Sequence, residues 1–131
     1  MSKKQNIRPT LLIDLLRNKI RIHQCTMHAM GDPDYIALII NPDKRMLGII
    51  RSTVGEKRAH KVRYSHLTGK GQSYELNSKL LIHRLKLLCP EWSDGERYKL
   101  YGEICPYDCS AIFNMSQFIQ LRKREGQNEQ K

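Results

Sequence analysis

Tyr35-Ile-Ala-Leu-Ile-Ile-Asn-Pro-Asp-Lys-Arg-Met-Leu-Gly-Ile-Ile-Arg51 decides the fold, because it reads as two apolar strands folded back on each other. Residues 35–40 form an apolar run rich in β-favouring side chains, the pattern of a central strand. Asn41-Pro-Asp-Lys44 supplies turn residues, with Pro where its fixed φ suits a turn, and residues 46–51 return as the hairpin partner. Upstream, Lys19-Ile-Arg-Ile22 alternates charged and apolar side chains as a half-buried strand does. Gln24-Cys-Thr-Met-His-Ala-Met30 then offers Cys25, Met27, Ala29 and Met30 as the inner stripe of a short helix. Gly31 ends that helix and Asp32-Pro-Asp34 forbids its continuation. Leu11-Leu-Ile-Asp-Leu-Leu16 reads equally as a short helix or a first strand, stopping at the Asn18-Lys19 turn signal.

The second half repeats this order. Ser73-Tyr-Glu-Leu76 alternates as a strand, and Asn77 or Ser78 can cap a helix running to Leu88 with Leu80, Leu81, Arg84, Leu85 and Leu88 inward. Pro90 stops that helix. Tyr98-Lys-Leu-Tyr-Gly-Glu-Ile104 is a strand, Pro106-Tyr-Asp108 a turn and Ser110-Ala-Ile-Phe113 the closing strand, with 114–121 expected as a final helix. His60-Lys-Val-Arg-Tyr64 alternates too, as an added strand at a charged sheet edge.

The expected fold is therefore α+β: two strand–helix–strand–strand repeats, about 19–51 and 73–114, packed with pseudo-twofold symmetry into a mainly antiparallel sheet. Each unit alone has too little apolar surface to stand. A basic connector (52–72) joins them, and 115–131 forms a terminal helix and polar tail. The 131 residues suit one domain with one core. That core is expected to include Ala29 and Ile112 beside Ile20, Ile36, Leu85 and Phe113.

The net charge of +10 is the loudest compositional signal. More than half of it lies between Asp43 and Lys70, where eight basic residues meet two acidic ones. Such an excess suits phosphates or acidic proteins. The candidate nucleic-acid-binding residues are Lys44, Arg45, Arg51, Lys57, Arg58, Lys61 and Arg63, with Tyr35, Tyr64, Tyr74, Tyr98 and Tyr101 as possible stacking partners for bases. The start, Met1-Ser-Lys-Lys-Gln5, lacks the apolar stretch of a secretory signal and the apolar runs are short, which gives an expectation of a cytoplasmic protein with no membrane partner. The four cysteines, Cys25, Cys89, Cys105 and Cys109, are expected as free thiols, since Cys105-Pro-Tyr-Asp-Cys109 spans a turn and no second ligand pair accompanies it. No cofactor or metal is expected. Catalysis is not expected either: no histidine pair, nucleophile elbow or phosphate loop occurs, and Thr68-Gly-Lys-Gly71 lacks the upstream glycine.

Residues 19–31 and 35–50, with the closing Ala111-Ile-Phe-Asn-Met115, resemble an uncharacterised bacterial family often associated with mobile elements. The resemblance covers about 19–115 and departs after Arg51, where Ser52-Thr-Val54 replaces that family's Pro-containing turn. The order of each unit is also similar to the AbrB and MraZ swapped-hairpin repeat, with Ile22-His-Gln24 and Leu76-Asn-Ser78 at the strand–helix junctions. This second resemblance implies a doubled DNA-binding fold. Two functions stand: a small basic nucleic-acid-binding protein, DNA first, with a regulatory role and a homodimer admissible and no small-molecule substrate; or a non-catalytic interaction module of a mobile element, for which Trp92 is a candidate anchor.

Overall fold

The computed structural model describes residues 8–62 and 73–121. Arg63, Tyr64, His66, Lys70, Thr68-Gly-Lys-Gly71 and both polar ends lie outside them. The described chain runs Thr10–Asp14 (β1), Lys19–His23 (β2), Gln24–Ala29 (α1), Tyr35–Asn41 (β3), Met46–Arg51 (β4), His60–Lys61 (β5), Ser73–Asn77 (β6), Lys79–Leu88 (α2), Arg97–Cys105 (β7) and Ser110–Leu121 (β8). Every ladder is antiparallel, and the eight strands form one sheet in the order β5-β3-β4-β8-β7-β1-β2-β6. The fold is thus α+β and mainly sheet. No described helix is long and apolar enough to cross a membrane.

The ambiguous segment 11–16 is a strand as far as Asp14 and then a turn, and Asp14 shows why. Its buried carboxylate accepts hydrogen bonds from Leu16 N (3.0 Å) and Arg17 N (3.1 Å), which folds the chain back before a helical turn can form. The turns 15–18, 42–45 and 106–109 are built alike: four residues, the last one left-handed at Asn18 (φ 56°), Arg45 (φ 54°) and Cys109 (φ 53°). Asn41 Oδ1 accepts from Lys44 N in the second turn, as Asp14 does from its own turn in the first.

Local chemistry also sets the helices. His23 caps α1, its Nδ1 accepting from Cys25 N at 3.0 Å, and Ser78 caps α2 through Oγ, which accepts from Leu81 N at 3.1 Å. At the end of α1, Gly31 takes φ 87°, and the bonds Gly31 N to His28 O and Asp32 N to Met27 O close a Schellman motif. The helices bury Met27 and Met30 of α1 and Ile82 and Leu85 of α2 against Ile20, Ile22, Leu11, Ile13, Leu100 and Phe113 of the sheet. The other face of the sheet carries the alternate residues Lys19, Arg21, Thr10, Leu12, Lys99 and Tyr101, all only partly buried.

Four expectations change. Residues 114–121 continue β8 instead of forming a helix, because Phe118, Ile119, Gln120 and Leu121 pair with Leu100, Lys99, Tyr98 and Arg97 of β7. Phe118 also packs into an aromatic cluster with Trp92 and Tyr98. In α2 the inner stripe is rotated: Ile82 and Leu85 are buried, in line with the buried Cys89 four residues on, while Leu80 and Arg84 face solvent and Leu81 and Leu88 are half-buried. Ala29 is exposed because the Schellman turn directs Met27 and Met30 inward. Ile112 is only partly buried, because it pairs with Gly48 on the outward side of β4.

Candidate nucleic-acid interface

The basic residues singled out in the sequence do not form one patch. Lys44 and Arg45 sit in the β3–β4 turn, whereas Arg51 ends β4 and Lys61 lies on β5, at the opposite end of the hairpin. Six residue steps of β3 separate these ends, about 20 Å. Arg45 is tied down: its guanidinium pairs with Glu91 and approaches the Cys89 thiol, while its carbonyl accepts from Met115 N at 2.8 Å. Hydrogen bonding to Arg45 lowers the Glu91 pKa, and the same bond raises that of Arg45. Burial pushes the Cys89 thiol up, against the opposing pull of Arg45. Arg45 is thus a clamp between the hairpin and the segment after α2.

At the other end, the register brings His60 of β5 and Arg51 of β4 to either side of Ile36, and places Lys61 opposite Tyr35 with its Nζ 6.0 Å from the ring centroid. The Arg51 guanidinium lies beside Gly31, where a Cβ would meet it at 3.3 Å. Lys57 and Arg58 follow in the exposed loop between β4 and β5. Arg58 is 3.8 Å from Glu56, a loose surface pair, and Glu56 Oε1 accepts from Arg58 N. Among the described residues, Arg51, Lys57 and Lys61 meet no carboxylate. Arg63 lies outside the described residues.

No protein-family model, curated protein or solved structure matches the chain. What its surface can bind is therefore read from its own chemistry. A second basic surface, absent from the sequence reading, lies on the uncovered face of the sheet. Arg21 Nε is 2.9 Å from Glu75 Oε2, aligned as an ion pair rather than a hydrogen bond, and Lys19 Nζ is 3.0 Å from Glu75 Oε1. One carboxylate thus serves two cations. Across β1 from Arg21 stand Lys99 and Tyr101 of β7, with Arg8 alongside. The signal was present in Lys19-Ile-Arg-Ile-His23 and Tyr98-Lys-Leu-Tyr101, whose outward residues are basic or aromatic, but only the register of β1 brings them together. Of the candidate stacking tyrosines, Tyr98 is buried in the core, whereas Tyr35, Tyr74 and Tyr101 are partly exposed; Tyr64 lies outside the described residues. Cys105 and Cys109 flank the 106–109 turn, and no three described His, Cys, Asp or Glu residues come together as a metal site.

Burial lowers the pKa of His60 beside this basic end. The folded chain then resists a proton that the unfolded chain accepts near the ordinary value of about 6.5. This contribution to stability is whole above that pH and is lost as the pH falls through it toward the folded value. Urea midpoints at pH 7.5 and 5.5 are expected to differ more for the wild type than for His60→Asn. Equal differences would show that His60 does not carry the pH dependence.

Proposed function

We propose that this chain is a duplicated swapped-hairpin protein that binds nucleic acid, DNA first, by neutralising phosphates at the Arg51–Lys61 end of the sheet. The strand order supports the duplication. Hairpin β3–β4 lies between β5 and β8, and hairpin β7–β8 lies between β4 and β1, so strands from the other half flank each hairpin. The β4–β8 ladder is symmetric about Gly48 and Ile112: Leu47 faces Phe113 as Ala111 faces Ile49. The β2–β6 ladder is symmetric about Arg21 and Glu75: Ile20 faces Leu76 as Tyr74 faces Ile22. Every antiparallel ladder has such local symmetry, so the two ladders are compatible with a twofold between the halves, and the interleaved strand order is what supports the duplication. The AbrB and MraZ similarity and the mobile-element family both remain resemblances of sequence pattern.

The observation that carries the binding proposal is that Arg51, Lys57 and Lys61 lie at one end of the sheet and meet no carboxylate among the described residues, Arg51 on the face of Ile36 and Lys61 on that of Tyr35, in a protein of net charge +10. Unpaired cations release counterions when they meet phosphates, and the logarithm of affinity then falls with that of salt by about 0.9 per phosphate on duplex DNA. The test is binding of a fluorescent duplex from low to physiological salt. The expected results are micromolar or tighter binding at low salt, a salt slope reduced by about 2 to 3 in Arg51→Ala/Lys57→Ala/Lys61→Ala, and an unchanged slope in Arg45→Ala, whose charge Glu91 already holds. No binding to any nucleic acid at low salt would sink the proposal.

An interaction-module reading draws on one different observation. Leu80 and Leu87, two turns apart on α2, are 72% and 68% exposed. It takes the place of the first reading if nucleic-acid binding is absent.

A further inference from the structure

Between Leu100↔Phe118 and Gly102↔Phe113, the β7–β8 ladder loses register: Tyr101 alone on β7 stands opposite the four residues 114–117 of β8. Asn114 Oδ1 accepts from Ser116 N at 2.9 Å and holds this bulge in shape. The bulge opens a depression of 240 Å³ lined by Arg8, Tyr101, Gln117, Phe118 and Ile119. The Arg8 guanidinium and the Lys99 ammonium lie 5.3 and 5.2 Å from the centroid of the Tyr101 ring. Two residues along β7, about 6.8 Å away, a second depression of 210 Å³ is lined by Leu12, Arg21, His23, Lys99 and Leu121 among others. Among the described residues, no helix covers this face.

We infer that this face is a platform for single-stranded nucleic acid, with one unstacked base entering the Tyr101 depression. The inference rests on the nucleic-acid reading above but on different residues. A base needs a flat π-surface, an apolar floor and a hydrogen-bonding edge; Tyr101, Ile119 and the Gln117 amide supply them in turn. The strand's phosphates need cations along the same line, which Arg8 and Lys99 supply, Arg21 beside them being held by Glu75. Duplex DNA keeps its bases stacked inside and can use the cations but not the ring, so the site favours a single strand. An acidic peptide would meet the same cations without needing the ring or the depression.

The experiment uses the full chain and a single-stranded oligothymidylate carrying one central 2-aminopurine, whose fluorescence is quenched on stacking. Binding with quenching is expected for the wild type. Tyr101→Phe is expected to keep both, and Tyr101→Ala to lose the quenching and about tenfold in affinity. The variant Arg51→Ala/Lys57→Ala/Lys61→Ala is expected to weaken duplex binding while preserving the quenching. Where Tyr101→Ala unfolds, judged by circular dichroism, Arg8→Ala/Lys99→Ala at solvent-facing positions replaces it, with the same expected loss of single-strand affinity. Binding by the wild type that neither variant alters, or binding without quenching, overturns the platform and leaves the phosphate-neutralisation reading standing. No nucleic-acid binding by the wild type overturns both.

Discussion

Replacing Gly102 by alanine is expected to destabilise the protein by about 3 kcal/mol or more, among the largest costs of overpacking. A Cβ on Gly102 would stand 2.4 Å from the Ile112 carbonyl oxygen and 2.6 Å from the Phe113 ring, which lies across the glycine on the neighbouring strand. Neither neighbour can yield cheaply. The carbonyl belongs to the β8 backbone next to its pairing with β4, and Phe113 is fully buried. Gly102 N also donates to Pro9 O at 2.9 Å, which pins β7 from its other side. For a domain of this size the loss corresponds to a fall in Tm of about 10 °C. Gly48 in β4 is the matched control, since a Cβ there meets nothing closer than Ile39 O at 3.8 Å. Gly48→Ala is expected to be neutral or to stabilise by about 0.5 kcal/mol through reduced freedom of the unfolded chain. Thermal unfolding of both variants checks the pair, and a Gly102→Ala midpoint within 2 °C of wild type would refute the close approach. The effect bears on function as well, because Gly102 is where the ladder resumes beside the Tyr101 bulge.

How far the sequence could be read depended on whether a segment had one competing period or two. Residues 19–22, 35–40 and 46–51 have a strand pattern and strong turn residues around them, and the structure holds them as strands. Residues 11–16 have no clear period, and Asp14 decided them through a turn contact that apolar patterning does not encode. Met115, Phe118 and Ile119 fit helical spacing, yet Met115 and Phe118 turn toward the core and Ile119 faces solvent in an extended strand. Pairing with β7, far away in sequence, overrode the local preference. The same non-locality governs the candidate sites. Lys44 through Lys61 is contiguous in sequence but split by the length of a hairpin, while Arg8, Arg21, Lys99 and Tyr101 are scattered in sequence and joined by the β1 register. A charge run shows how many cations a segment has; a ladder determines which of them share a surface.

Trp92→Ala is the second change expected to have a large effect, about 3 to 5 kcal/mol. The ring is 5% exposed, stacks on Tyr98 at 5.1 Å with an interplanar angle of 11°, and meets the edge of Phe118 at 5.9 Å. Tyr98 is fixed in turn by its hydroxyl, which accepts from Ser93 N at 2.7 Å. Removing the indole therefore opens a cavity between the segment after α2 and the sheet, at a point where three rings support one another. The indole Nε1 is buried without a hydrogen-bond partner, so phenylalanine gives up area but no bond. Trp92→Phe is expected to cost only about 1 kcal/mol. Urea unfolding followed by circular dichroism separates the two, because Trp92 is the only tryptophan and its fluorescence disappears in both variants. Equal costs for Ala and Phe would mean that the ring's packing is not what stabilises the cluster. Phe118 borders the Tyr101 depression by its strand while its ring turns into this cluster, so Trp92→Phe, which keeps an aromatic ring behind Phe118, is also expected to leave single-strand binding unchanged.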